Sequence, residues 1–178
     1  PDWEDNGLAI YKYLRKHTNY KVIWLTNEKI DKAKVPFKIS SNSLFLKRRS
    51  IKGILYFIFS KYVFFTHGTY LPKYPKNQIS INIWHGFGFK AVGKLNNSNG
   101  IETTYALATS EFSKPFMAAQ MGITDNKVLT FGYPRNDRLV KANHSKGKKL
   151  KRRLNITQES KIIVWMPTYR NSVIGDIR

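Results

Sequence analysis

The chain has 178 residues, of which 42% are hydrophobic and 14% aromatic, so it can form one domain with a core, or one domain plus part of another. It contains no cysteine, which excludes disulfides, thiolate metal sites and cysteine nucleophiles. Its net charge of +20 predicts a polyanionic partner, such as nucleic acid, anionic lipid or a phosphate-rich polymer.

The hydrophobic pattern predicts helices that alternate with short apolar strands. The predicted helices cover residues 5–16, 43–60, 113–121 and 144–154. The predicted strands cover residues 21–26, 62–66, 79–84, 105–109, 127–131 and 161–166. Asp5 or Asn6 would cap the first helix, while Ser110 would cap the third and Gly122 would end it. The second helix would offer these side chains to the core: Leu44, Leu46, Ile51, Ile54, Leu55 and Ile58.

This alternation is typical of an α/β fold with a parallel, Rossmann-like sheet that is covered on both faces. In such a sheet, ligands bind at the carboxyl ends of the strands. Four unusual segments directly follow predicted strands, namely residues 67–68, 85–86, 132–135 and 167–170. We therefore expect these segments to meet at one rim of the sheet, or at two rims that face a cleft.

His85 is the candidate general base, because a neutral imidazole can accept a proton from a hydroxyl near neutral pH. It follows the strand that ends at Trp84, within the segment NIWHGFGFKAVGK. Gly86 would let a ligand approach the backbone closely, and Lys90 would supply positive charge. The alternative is a half-buried histidine that hydrogen-bonds a neighbouring backbone group.

Three further residues are candidates for substrate binding. His67 follows the preceding strand and would bind substrate or orient His85, or it is a structural loop residue. In the segment GYPRNDR, Arg135 would hold a phosphate and Asp137 would orient it or cap the next helix. Asp137 could equally pair with Arg135 or Arg138.

Residues 141–153 carry seven lysines or arginines and no acid. Such a run is either a solvated helix face or a surface that docks on an anionic membrane or polymer. The sequence has no phosphate-binding Walker loop, no G-x-G-x-x-G motif and no His/Asp set with metal spacing, so neither metal nor cofactor is expected. No nucleic-acid-binding module is recognisable either.

Four segments, INIWHGFGFKAVGK, ATSEFSKPFMAAQMGI, VLTFGYPRNDRL and KIIVWMPTYR, occur in an order and spacing that resemble the CDP-glycerol glycerophosphotransferase family. The segment DNGLAIYKYL near the start is similar to the family's entry segment. Members of this family include teichoic acid primases and polymerases and related capsule enzymes. The resemblance covers most of residues 5–170.

The resemblance implies a GT-B fold whose acceptor-side domain occupies residues 1–155 and whose donor domain begins at residues 156–178. It also implies transfer of glycerol phosphate from CDP-glycerol to a hydroxyl of an undecaprenyl-diphosphate-linked acceptor. The enzyme would work peripherally on the anionic cytoplasmic face of the bacterial membrane, with no nucleic acid as partner. His85 corresponds to the family's catalytic histidine, and Thr168 and Arg170 would begin the donor-binding half.

The family's second histidine and its Asp-Tyr-Ser-Ser-like segment have no counterpart in the chain. We therefore expect the chain, which begins with Pro1, to be part of a longer protein. Two alternative functions remain: a non-catalytic module that binds polyanions or nucleic acid, and a related transferase that moves ribitol phosphate or a sugar.

Overall fold

A computed structural model describes residues 5–67, 74–86, 93–96, 102–140, 144–165, 171–172 and 175–176. The chain divides into two compact units, Pro1–Val140 and Lys141–Arg178. The helices of the first unit are α1 (Asn6–His17), α2 (Ile51–Phe59), α3 (Lys114–Met121) and α4 (Asp137–Val140). Its strands are β1 (Val22–Thr26), β2 (Ser43–Lys47), β3 (Tyr62–Phe65), β4 (Ile79–Asn82), β5 (Tyr105–Leu107) and β6 (Val128–Leu129). The second unit contains α5 (His144–Arg153) and a short antiparallel pair, β7 (Asn171–Ser172) and β8 (Gly175–Asp176).

The strands of the first unit form two parallel sheets, which confirms the predicted α/β class. One sheet has the order β3-β4-β5-β6, and the other pairs β1 with β2. In the four-stranded sheet, Phe65 lies opposite Asn82, and Asn82 lies opposite Ala106. The carboxyl ends of β3 and β4 are therefore level, and the segments that follow them start from the same rim.

The core lies where α3 packs on β5 and β6. Its buried members are Ala106, Ala108, Met117, Ala118, Met121 and Val128. The alanines of β5 and its extension leave room for the Met117 side chain, which is completely buried. Gly122 ends α3 with a φ of 70°, as predicted, because a residue without Cβ adopts this left-handed conformation readily. The N-cap of α3 is Ser113, and the prediction of Ser110 was wrong.

The prediction of one helix over residues 43–60 was wrong, because this segment forms a strand followed by a helix. Residues 43–47 pair with β1, and Ser50 then caps α2 by accepting a hydrogen bond from the Gly53 backbone N–H. Gly53 and Phe57 face inward. The predicted burial of the α2 isoleucines and leucine was also wrong: Ile51, Ile54, Leu55 and Ile58 are all exposed.

Residues 161–165 are not in a strand, so the described part of the sixth predicted strand was wrong. A strand requires a hydrogen-bonded neighbour, and none is found for these residues in the described part of the chain. Ile163 and Trp165 are accordingly exposed. Across the described residues, no helix combines the length and the apolar character that crossing a membrane requires.

Candidate active site

The predicted convergence of strand-end segments is found for two histidines. His67 follows β3 and His85 follows β4, and their rings stack with centroids 4.7 Å apart and planes 13° apart. Both side chains are exposed. Thr66 contacts both: its carbonyl oxygen lies 3.3 Å from His85 Nδ1, and its Oγ1 lies 2.9 Å from His67 Nδ1. The rim of the sheet therefore presents a pair of imidazoles to solvent.

The contact with Thr66 determines which nitrogen of His85 can act as a base. A carbonyl oxygen only accepts hydrogen bonds, so the Nδ1 of His85 must carry the proton that it donates. In the neutral ring, Nε2 then has a free lone pair. The ring of Trp84 stacks on the ring of His85, with 4.3 Å between their centroids, and helps fix its orientation.

The turn that carries His85 away from β4 has an unusual backbone. Trp84 has a φ of 38°, in the left-handed region, which costs a bulky residue about 1 to 3 kcal/mol. The buried side chain of Asn82 accepts a hydrogen bond from the Trp84 N–H at 2.9 Å. Gly86 follows with a φ of 156°. A Cβ there would lie 3.9 Å from Arg135, so Gly86 serves the backbone conformation more than it avoids a clash.

Arg135 joins His85 to the start of the chain. Its Nη2 donates to the His85 carbonyl oxygen at 2.5 Å, and its Nη1 donates to Asp5 Oδ1 at 2.8 Å. Because both side chains are partly exposed, this ion pair contributes about 0.2 to 1 kcal/mol, and its main effect is to orient the guanidinium. Arg135 also lies over the ring of Tyr133, 5.8 Å from its centroid.

Asn6 has a role in this site that the sequence does not reveal, since its position predicts only a helix cap. The side chain is completely buried and reaches the segments around His85 and Arg135. Its Nδ2 donates to the carbonyl oxygens of Ile83 at 3.1 Å and Trp84 at 2.7 Å. Its Oδ1 accepts from the Arg135 N–H at 3.1 Å. A polar residue at a helix start resembles any other cap, so the sequence carries no signal for these long-range bonds.

Asp5 holds the N-cap position of α1, as predicted, but its carboxylate makes no capping hydrogen bond and binds Arg135 instead. Asp137 is the exposed first residue of α4, and it forms no ion pair with any described residue. Its assignment to substrate binding stays a prediction. The remaining candidates, Lys90, Thr168 and Arg170, lie outside the described residues.

An apolar cluster packs beside the buried asparagines of this site. Tyr133 packs with Ile83 and Leu107, and its hydroxyl has no hydrogen-bond partner among the described residues. Burial raises the pKa of the Tyr133 phenol, so this group stays neutral at physiological pH. No cluster of three or more His, Asp or Glu side chains suited to a metal occurs in the part of the chain that the structure describes.

The first unit is thus an α/β domain that carries a histidine pair and an arginine at the carboxyl rim of its sheet, which is where ligands bind in such folds. The family model described as CDP-Glycerol:Poly(glycerophosphate) glycerophosphotransferase matches residues 1–177. The chain therefore belongs to this family, which confirms the resemblance that the motifs indicated.

Curated relatives have names from teichoic acid synthesis. The chain is 29% identical to a teichoic acid poly(glycerol phosphate) polymerase of Bacillus spizizenii, over 94% of this chain and 47% of that protein. It is 27% identical to a teichoic acid glycerol-phosphate transferase of Staphylococcus aureus, over 95% of this chain and 48% of that protein. The chain thus spans less than half the length of these relatives.

Solved structures of the wall teichoic acid polymerase TagF share the fold. One of them, a histidine variant soaked with CDPG, has a TM-score of 0.74 at 23% identity, over 96% of this chain and 46% of that chain. Another TagF variant has a TM-score of 0.69 over 90% of this chain. The expected GT-B type of fold is thereby confirmed for the matched region.

Proposed function

We propose that the protein transfers glycerol phosphate from CDP-glycerol to a hydroxyl of an undecaprenyl-diphosphate-linked teichoic acid or capsule acceptor, with His85 as the general base. The observation that carries this proposal is the orientation of His85. Its Nδ1 faces the Thr66 carbonyl, so its Nε2 is the nitrogen able to accept a proton. The ring lies exposed at the sheet rim, where a substrate can reach it.

In the proposed reaction, the acceptor hydroxyl gives its proton to His85 Nε2. Its oxygen attacks the phosphorus that bears the glycerol, and a new O–P bond forms as the bond from this phosphorus to the bridging oxygen of CMP breaks. CMP leaves with the bonding electrons. Positive groups near the phosphoryl oxygens stabilise the charge that develops in the transition state. Gly86 and the histidine pair would line the acceptor position.

We favour glycerol phosphate over ribitol phosphate as the transferred group because of the names and coverage of the curated relatives. The relatives matched over more than 90% of this chain are named for glycerol phosphate. A ribitol-phosphate polymerase of Staphylococcus aureus, TarL, matches over 60% of this chain at 30% identity. CDP-ribitol is therefore the second donor to test.

The exposed face of α2 supports the proposed action on a membrane-linked acceptor. We define the α2 apolar face as Ile51, Ile54, Leu55, Ile58 and Phe59, which lie on one side of the helix and are all exposed. Exposed cations flank it, namely Lys47, Arg49, Lys52 and Lys61. No acidic residue occurs between Asp31 and Glu102. An apolar helix face with a basic surround suits an anionic lipid surface.

We also propose that residues 1–155 form an acceptor-side domain and that residues 156–178 begin a donor domain. Within the second unit, Lys151 donates to the carbonyl oxygens of Gln158 and Ser160, while Lys148, Lys149, Arg152 and Arg153 are exposed. These four cations would contact the membrane or the anionic product.

The test is nucleotide release by the full-length protein, supplied with a lipid-linked acceptor and with one donor at a time. CDP-glycerol or CDP-ribitol would release CMP, and a UDP-sugar would release UDP or UMP. We expect turnover with CDP-glycerol and inhibition by CMP but not by UMP. Turnover with only the UDP-sugar would contradict the proposal. If no donor turns over, salt-dependent polyanion binding that is lost on neutralising Lys148, Lys149, Arg152 and Arg153 would favour the non-catalytic module.

A further inference from the structure

We propose that Asn6 is a positioning residue for the proposed base, and that it acts by holding the turn from which His85 projects. This inference rests on the proposed function in its catalytic part. Asn6 is the first residue of α1, and it lies 77 residues from Ile83 and 129 from Arg135 in the sequence. It is nevertheless completely buried between the two segments.

The hydrogen bonds of Asn6 require both halves of its amide. Its two N–H bonds point at two carbonyl oxygens, which can only accept, and its oxygen faces a backbone N–H, which can only donate. These partners fix the orientation of the amide without ambiguity. Aspartate at this position would keep only the hydrogen bond that Asn6 accepts. Alanine would keep neither the accepted nor the donated bonds.

Asn6 and Arg135 together bind three consecutive carbonyl groups. Asn6 binds those of Ile83 and Trp84, and Arg135 binds that of His85. These carbonyls belong to the turn in which Trp84 adopts a left-handed backbone. A strained conformation of this kind persists only where its surroundings hold it. Asn6 supplies two of the hydrogen bonds that hold it, so its loss would let the His85 ring move.

Asn6 also fixes the position of Arg135, which binds the His85 carbonyl group. Its oxygen binds the backbone N–H of Arg135, while the neighbouring Asp5 binds the guanidinium. The start of α1 therefore fixes both the main chain and the side chain of Arg135. Through these bonds, α1 sets the distance between the two motifs that follow β4 and β6.

Gln78 offers a matched control at the opposite end of β4. Its side chain is also buried, and its Nε2 also binds backbone carbonyls, those of Phe57 and Ser60. It contacts neither His85 nor Arg135. Replacing it removes a buried amide of the same chemistry and destabilises the fold without touching the turn.

The experiment compares Asn6→Asp and Asn6→Ala with Gln78→Glu and Gln78→Ala in the full-length protein. The measurements are Tm, kcat and KM for CDP-glycerol, and the NMR signal of the His85 ring, assigned with His85→Gln. We expect both Asn6 variants to lower kcat about tenfold or more, with KM nearly unchanged, and to shift the His85 signal. The Gln78 variants should lower Tm without either effect.

Three results would overturn the proposal: Asn6 variants with kcat within about twofold of wild type, an unmoved His85 signal, or an equal loss of kcat in the Gln78 variants. If Asn6→Asp does not fold, Asn6→Ala decides. If the wild-type protein transfers nothing, the proposed function has failed and the ring signal alone decides. A shift in the Asn6 variants but not in the Gln78 variants then supports the positioning role, and no shift refutes it.

Discussion

His67 and His85 stack face to face, with 4.7 Å between ring centroids, although 17 residues separate them between one strand end and the next. Their closeness follows from the parallel pairing of β3 and β4, which places Phe65 opposite Asn82. Stacking against the rings of both His67 and Trp84 restricts the rotation of the His85 imidazole. The rim thus offers a histidine with a fixed ring plane.

We predict that His67→Ala lowers the transfer rate about tenfold and that His67→Phe lowers it less. Phenylalanine preserves the stacked ring, and an aromatic pair contributes about 0.5 to 1.5 kcal/mol beyond simple burial. Steady-state kinetics of the two variants check this. An equal and much larger loss in both would instead indicate that a His67 nitrogen binds the substrate directly.

Arg135→Lys should lower the transfer rate about tenfold even though it keeps the charge. Lysine lacks the planar fork that lets arginine donate to Asp5 and to the His85 carbonyl at once. Arg138→Lys, in the same segment and exposed, is the matched control and should stay within about twofold of wild type. Full activity of Arg135→Lys would mean that only its charge matters, as in simple phosphate binding.

The α2 apolar face should mediate binding to anionic vesicles. Ile51 and Phe59 are 79% and 83% exposed, and we expect Ile51→Ser with Phe59→Ser to weaken binding to phosphatidylglycerol vesicles at least about tenfold. Vesicle sedimentation measures this. Phe112→Ser, at a residue that is 71% exposed outside α2, is the control and should bind like wild type. Unchanged binding by the double variant would exclude α2 as the contact.

Two helical glycines should respond oppositely to alanine. A Cβ on Gly53 would lie 2.4 Å from the Lys47 carbonyl oxygen, whereas a Cβ on Gly147 in α5 would meet nothing within 4 Å. Gly147→Ala should stabilise its helix by up to about 1 kcal/mol, and Gly53→Ala should destabilise the protein by about 1 kcal/mol or more. Urea unfolding followed by circular dichroism checks both. A stable Gly53→Ala variant would show that α2 can move away from β2.

Helices and strands could be predicted from the sequence where their hydrophobic pattern is local. The helix that begins at Asn6 and the strand that precedes His85 follow from hydrophobic periodicity and from a polar residue at the helix start. The prediction failed at residues 43–60, where a strand and a helix follow each other so closely that their apolar residues resemble one helical pattern. Hydrophobic periodicity also predicts burial of the exposed stripe of α2, because periodicity shows that a helix face is apolar but not what covers it.

In the candidate site too, features with a local sequence pattern could be predicted and long-range contacts could not. His85 could be predicted because a histidine after a strand, followed by glycine, has a recognisable local pattern. The contacts of Asn6 and Asp5 with Arg135 could not, since they join residues about 130 positions apart. The sequence around a polar residue does not indicate which distant residue it will hydrogen-bond.

The most direct test of the account is CMP release from CDP-glycerol by the full-length protein with His85→Ala, beside wild type and His17→Ala. His17 is an exposed histidine at the end of α1 and serves as the matched control. We predict that His85→Ala lowers kcat about a hundredfold or more, as expected for loss of a general base, and that His17→Ala retains the wild-type rate. An active wild type whose His85→Ala variant is equally active would contradict the account.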